Sequence, residues 1–124
     1  MSQATPVTLT VPAHADYARS VRMLAANLAV VQGLCVDSVE DVRMAAEEGF
    51  IYACATGVQS CQISFEPAES AMRMAFKLGD ADPESEDLSF ALMLLTAICD
   101  EVKADDDAHE LRVLVSCGGA YAQQ

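Results

Sequence analysis

The stretch "EDVRMAAEEGFIYACATG", residues 40–57, decides how the rest of the chain is interpreted. It is rich in alanine and predicts a helix that begins near Ser38, with Asp41 three residues on as in a capping box, and ends near Gly57. Apolar and small residues recur in it at helical spacing and predict one buried face: Val39, Val42, Ala46, Gly49 and Ala53. Glu48 and Tyr52 are four residues apart, so the helix places both on a second face.

Alternating apolar residues predict four strands around this helix. "PVTLTVPA" predicts a short strand that stops at Pro12, "SCQISFEP" and "AMRMAFKL" predict an antiparallel hairpin, and residues 111–117 predict a last strand. Two further helices are expected, one over residues 15–32 that ends at Gly33 and one over residues 88–103. The order predicts an α+β two-layer sandwich, with one mixed or antiparallel sheet of about four strands and three helices on one face.

The two outer helices differ in how many apolar faces they carry. The first predicts one stripe, formed by Tyr17, Val21, Leu24, Leu28 and Val31. The third predicts a stripe of Leu88, Ala91, Leu95, Ile98 and Val102 and a second one, on the opposite side, that contains Phe90, Met93, Leu94 and Ala97. The second stripe either packs on the first helix or forms an interface with a partner protein or a second copy of the chain.

Length and charge limit the classes of function. The 124 residues predict a single domain, residues 1–124, whose last residues, 118–124, form a flexible tail. The formal net charge of −12 argues against nucleic acid and anionic membranes as partners. Five cysteines without a CxxC pair predict buried, reduced thiols in a cytoplasmic protein, and two separated histidines give no metal site.

The element order and three segments resemble the anti-sigma-factor serine/threonine kinases of the GHKL (histidine-kinase-like ATPase) superfamily. The segments are "SVRMLAANLAVVQGL" in the first helix, "EDVRMAAEEGFIYACATG" in the second and "LMLLTAICDEVKA" in the third. In that family the second helix carries a pattern close to E-x-x-x-N-A-x-x-H. The resemblance implies that Glu48 occupies the position of the catalytic base, while Tyr52 replaces the asparagine that holds magnesium and Thr56 replaces the histidine.

The family's nucleotide-binding motif, D-x-G-x-G, is also altered. The resemblance places Asp80 at the aspartate that binds adenine, but Asp82 stands at the first glycine, and the second glycine is missing. A glycine-containing lid follows in the family, whereas here the short acidic stretch "PESED" leads into the third helix. A phenol is a poor magnesium ligand and added carboxylates repel phosphate, so no cofactor is expected.

Two functions follow as hypotheses. The first is a regulator that binds a protein, by analogy a sigma factor or an anti-sigma antagonist, without turning over ATP. The alternative is an active serine/threonine kinase that uses ATP and Mg²⁺, with Glu48 as the base and Asp80 on adenine. Each residue also has a simpler interpretation: Glu48 as part of a solvated helix face, and Asp80 as a turn former beside Gly79.

Overall fold

The computed structural model describes residues 5–81 and 86–116, and the expected tail and Asp82 lie outside these residues. The helices are α1 (Ala18–Gln32), preceded by a 3-10 turn (Ala15–Tyr17), α2 (Val36–Ala55) and α3 (Glu86–Ile98). The strands are β1 (Val7–Pro12), β2 (Ser60–Ala68), β3 (Ala71–Lys77), β4 (Glu101–Asp105) and β5 (Glu110–Ser116). None of the described helices is long and apolar enough to span a bilayer.

The five strands form one sheet in the order β1-β2-β3-β5-β4, and every neighbouring pair is antiparallel. One face is apolar and buried; Ile63, Phe65, Met74 and Phe76 lie on it at alternate positions. The other face carries polar and charged side chains, as an antiparallel sheet with one solvated face requires. The predicted α+β two-layer sandwich is therefore confirmed.

The third helix is shorter than predicted, because a fifth strand takes up its expected end. α3 ends at Ile98, and β4 follows at once. The Asp100 N–H donates to the carbonyl of Leu114 at 2.8 Å, and the Asp100 carboxylate accepts from the Ser116 N–H at 2.7 Å. These bonds begin the pairing of β4 with β5, which places Val102 opposite Val113. The prediction of a helix to Lys103 was wrong, because residues 101–105 form a strand through their pairing with β5, a tertiary contact that helical spacing does not reveal.

The first helix ends where predicted, but its buried face is different. Gly33 adopts a left-handed conformation with φ 89° and donates to the carbonyls of Ala29 and Val30, as a helix-terminating glycine does. The fully buried residues of α1 are Val21, Ala25 and Ala29. Val31, expected in the core, is 75% exposed. Small alanines let α1 lie close against α2, so the larger aliphatic side chains flank the contact.

The second helix packs on the centre of the sheet through Gly49. A Cβ atom at this position would lie 2.4 Å from two ring carbons of Phe76 on β3, so only glycine permits the observed distance between helix and sheet. The helix begins earlier than predicted, with Cys35 at the N-cap. Ser38 is buried within the first turns, and its hydroxyl donates to the Ser116 carbonyl at 3.1 Å, so it joins α2 to β5 instead of capping the helix.

Replacing Gly49 with alanine should destabilise the protein by roughly 1–3 kcal/mol, because the methyl group overlaps the Phe76 ring. This runs against the helix propensity of alanine, which by itself favours the substitution by about 1 kcal/mol. Urea unfolding of Gly49→Ala measures the change. In a Phe76→Leu background the same substitution should cost less, because the ring is gone. Equal or greater stability of the single variant would contradict the contact.

Candidate functional site

The residues on the second face of α2 become more buried towards the C-terminal end of the helix. Glu48 is half-buried, Tyr52 is 3% exposed and Thr56, at the C-cap, is 2% exposed. The side chains of Glu48 and Tyr52 are thus partly or fully shielded from solvent. Burial raises the pKa of the Glu48 carboxyl, and the neighbouring charge of Glu47 adds to the effect. A carboxyl with a raised pKa suits general-base chemistry but also occurs wherever acids are partly desolvated.

Glu47 has a structural partner instead. Its carboxylate accepts a hydrogen bond from the Arg22 guanidinium of α1 at 3.1 Å, and both side chains are largely shielded from solvent. This ion pair connects α1 to α2 beside Glu48. The two adjacent glutamates therefore have different surroundings: Glu47 pairs with Arg22, whereas no ion pair within 4 Å is present for Glu48 in the described residues.

Thr56 holds the chain segment that follows β3. Its hydroxyl donates to the Ala53 carbonyl at 2.6 Å and accepts from the Gly79 N–H at 2.7 Å. The backbone carbonyl of Thr56 also accepts from the Ala81 N–H at 3.0 Å. A Cβ atom on Gly79 would lie 2.3 Å from that same carbonyl oxygen, so glycine is required for the approach. Thr56 thus has a structural role.

Asp80 lies at the rim of a cavity of about 370 Å³ beyond this contact. Its carboxylate is 94% exposed and lies 3.5 Å from the Nδ1 atom of His109 in the turn between β4 and β5. Asp105 and Asp106 also line the cavity, whereas no lysine or arginine does so among the described residues. The Arg112 guanidinium pairs with Asp105 at 3.2 Å from outside the cavity. The cavity is acidic and attracts cations rather than phosphate.

The structure brings together only some of the predicted site residues. Asp80 and Thr56 share the cavity, while Glu48 and Tyr52 do not line it. Asp82 lies outside the described residues. Sequence reasoning missed the contributions of Gly79 and His109, which depend on β5 lying beside β3 in the sheet. One signal was available, because "LGD" directly after a strand indicates a tight connection.

Tyr52 is buried and carries a phenol, which is a poor magnesium ligand, and the acidic lining of the cavity at Asp80 opposes phosphate. No group of three or more histidine, cysteine, aspartate or glutamate side chains that could hold a metal occurs in residues 5–81 and 86–116. None of the four described cysteines, Cys35, Cys54, Cys61 and Cys99, forms a disulfide, and only Cys61 is fully buried. Desolvation raises the pKa of Cys61 and of the half-buried Cys99 to about 12, so both thiols are protonated at neutral pH.

The predicted interface on α3 is exposed. Leu88, Ala91 and Leu95 are buried against the rest of the fold, as expected for the first stripe. On the opposite side Phe90 is 58% exposed and Met93 is 64% exposed, while Leu94 is half-buried. α3 packs on α2. The interpretation in which the second stripe packs on the first helix is therefore wrong for Phe90 and Met93.

The described helices and strands define the chain as a two-layer α+β protein. A solved structure with a similar fold is that of the RsbU and RsbW domains of Rv1364c from Mycobacterium tuberculosis, with a TM-score of 0.63 and 18% sequence identity. The similarity covers 90% of this chain and 32% of that chain, and at this identity it shows the fold alone. No family model matches the sequence, and no curated protein matches it.

Removing the Thr56 hydroxyl should destabilise the fold. Thr56→Val keeps the shape of the side chain but leaves the Gly79 N–H without its partner, at an expected cost of about 1–3 kcal/mol in unfolding free energy. Thr56→Ser keeps the hydroxyl and should retain most of the stability, so it is the matched control. Chemical denaturation of the three proteins gives the comparison. If valine and serine cost the same, the hydroxyl does not hold Gly79.

Proposed function

We propose that this protein is a non-catalytic regulator on a GHKL-like scaffold, which binds a partner protein through α3 and does not turn over ATP. The observation that carries the proposal is the exposure of Phe90 and Met93, since large apolar side chains left uncovered on one helix face indicate a protein interface. By analogy with the anti-sigma-factor kinases, the partner is a sigma factor or an anti-sigma antagonist, and the process is transcription regulation.

Several observations support the absence of phosphoryl transfer. Catalysis of this reaction depends on positioning the phosphates and on neutralising their charge with a metal and cationic groups. The resemblance assigns the metal-ligand position to Tyr52, which is buried, and the cavity at Asp80 is lined by carboxylates without a lysine or arginine among the described residues. Each change weakens binding or catalysis alone, and together they remove the parts on which the reaction depends.

The electrostatics of the chain favour a particular kind of partner. With a formal net charge of −12, an acidic partner is repelled and a basic one is attracted over the range of the Debye length. An apolar patch within an acidic surface selects a partner with apolar anchor residues surrounded by lysine or arginine. Nucleic acid and anionic membranes do not meet this requirement, because both carry the same sign of charge as the protein.

The kinase remains the second candidate, and one observation favours it. Glu48 is half-buried and the pKa of its carboxyl is raised, as expected for a base that takes a proton from a hydroxyl group. In such an enzyme ATP and Mg²⁺ would be needed, and Asp80 would contact adenine. Nucleotide binding therefore distinguishes the kinase from the non-catalytic regulator, whereas the raised pKa of Glu48 does not.

We expect no binding of magnesium ATP at physiological concentrations. Titration calorimetry with ATP and Mg²⁺, and with ATP alone, measures this, with heats no larger than those of dilution as the expected result. The physical reason is the repulsion between the phosphates and the acidic lining around Asp80. A dissociation constant in the micromolar range that weakens in Glu48→Ala or Asp80→Ala would contradict the prediction and support the kinase.

The α3 surface should be required for association. Phe90→Asp or Met93→Asp should weaken partner binding at least tenfold, or dissociate a homodimer, because a charge replaces an exposed apolar anchor. Thermal unfolding should change little, since neither side chain is buried. Sedimentation velocity reports the oligomeric state, and affinity purification from the native cell identifies bound proteins.

Ser89→Asp is the control for that experiment. Ser89 is exposed next to Phe90, so the variant introduces the same charge without removing an apolar side chain. It should retain the associations of the unmodified protein. If all three variants behave like the unmodified protein, with the same oligomeric state and the same co-purifying proteins, α3 is not the interface.

A further inference from the structure

A groove separates the C-terminal part of α1 from the β2–β3 hairpin, away from α3. It has a volume of about 590 Å³, and its walls are mainly apolar. Leu28 and Val31 contribute from α1, Val7 from β1, and Phe65 and Met72 from the two hairpin strands. Val31 is the residue that the first helix leaves 75% exposed. An apolar concavity with a few polar groups is the usual form of a binding site.

One wall of the groove carries a buried hydrogen-bond acceptor without a partner. The Nε2 atom of Gln32 donates to the carbonyls of Ala68 and Ala71, each at 2.6 Å, and these two bonds fix the orientation of the amide. The Oε1 atom of the same side chain is buried and has no hydrogen-bond partner among the described residues. Leaving such an atom unpaired is costly in a folded protein, so its position calls for a donor.

The groove also favours a ligand with a positive charge. The Glu69 carboxylate lies at its rim, exposed and without an ion pair within 4 Å among the described residues, and no lysine or arginine lines the groove. A ligand that complements these groups has a large apolar part, an N–H donor for the Gln32 oxygen and a positive charge for Glu69. Of the natural side chains, the indole of tryptophan best combines a large apolar surface with one donor and no acceptor.

We propose that this groove binds a tryptophan side chain from a basic segment of a partner protein, with the indole N–H donating to Gln32 Oε1. The adjacent lysine or arginine of that segment lies against Glu69. A second copy of this chain cannot supply the anchor, because the sequence contains no tryptophan. The Gln32 oxygen is covered in this structure, so the indole reaches it only when the side chains that cover it move.

Short peptides test the proposal directly. Because the protein lacks tryptophan, the indole fluorescence of a capped Lys-Trp-Lys peptide reports binding without background from protein indole. We expect saturable binding at millimolar or lower concentrations. Methylation of the indole nitrogen should weaken it about tenfold, since the donor to Gln32 is lost. Glu-Trp-Glu should not bind. Equal affinity for the methylated peptide, or no binding of Lys-Trp-Lys, would overturn the proposal.

Two substitutions distinguish binding of the peptide in the groove from a general attraction of the cationic peptide to an acidic protein. Val31→Arg places a bulky cation in the groove wall and should abolish binding, whereas Val30→Arg adds the same charge at a neighbouring exposed residue that does not line the groove. Glu69→Gln should weaken binding of Lys-Trp-Lys while leaving folding intact. If Val30→Arg and Val31→Arg reduce binding equally, the groove is not the site.

Sedimentation velocity of the same variants tests whether a second copy of the chain occupies the groove. If Val31→Arg converts a dimer to a monomer and Val30→Arg does not, a second copy of the chain covers the groove, and the proposal fails. We expect instead that both variants keep the oligomeric state of the unmodified protein. The α3 interface is on a different element, so loss of association in Phe90→Asp leaves the peptide result unaffected.

Discussion

The close contact between α2 and the centre of the sheet governs the rest of the structure. Gly49 lets the helix backbone lie directly over the Phe76 ring. This contact sets the distance between the sheet and the other residues of α2. α1 and α3 both pack on α2, so their positions follow from the same contact. Tyr52 becomes buried, and Thr56 comes within reach of Gly79. A helix held further from the sheet would form neither the Thr56 bond nor the cavity beside Asp80.

The helical layer combines features that a nucleotide enzyme and a binding protein would use differently. The cavity at Asp80 is small, acidic and fixed by backbone contacts with Thr56, whereas the α3 surface presents apolar side chains without cover from the described residues.

Local sequence patterns predicted the helical layer and the sheet of the fold but not the edge strand β4. Alternation in the hairpin and the small residues of α2 predicted the correct elements, since each pattern reflects burial on one face. β4 was missed because "EVKAD" has few apolar residues, and its pairing with β5 depends on tertiary contacts. The buried face of α1 was predicted only in part, because alanine gives a weak hydrophobic signal. His109 approaches Asp80 only through the sheet order, which no spacing in the sequence encodes.

The strand order has a consequence for how the protein is made. β5 lies between β3 and β4, although it follows both in the chain. The sheet therefore remains divided until residues 110–116 have been synthesised, and the edge of β3 stays open during translation. Pairing of strands that are distant in sequence is slow, which lengthens this period. Arg73 and Lys77 lie on β3, and charged side chains on an open strand disfavour pairing with other chains.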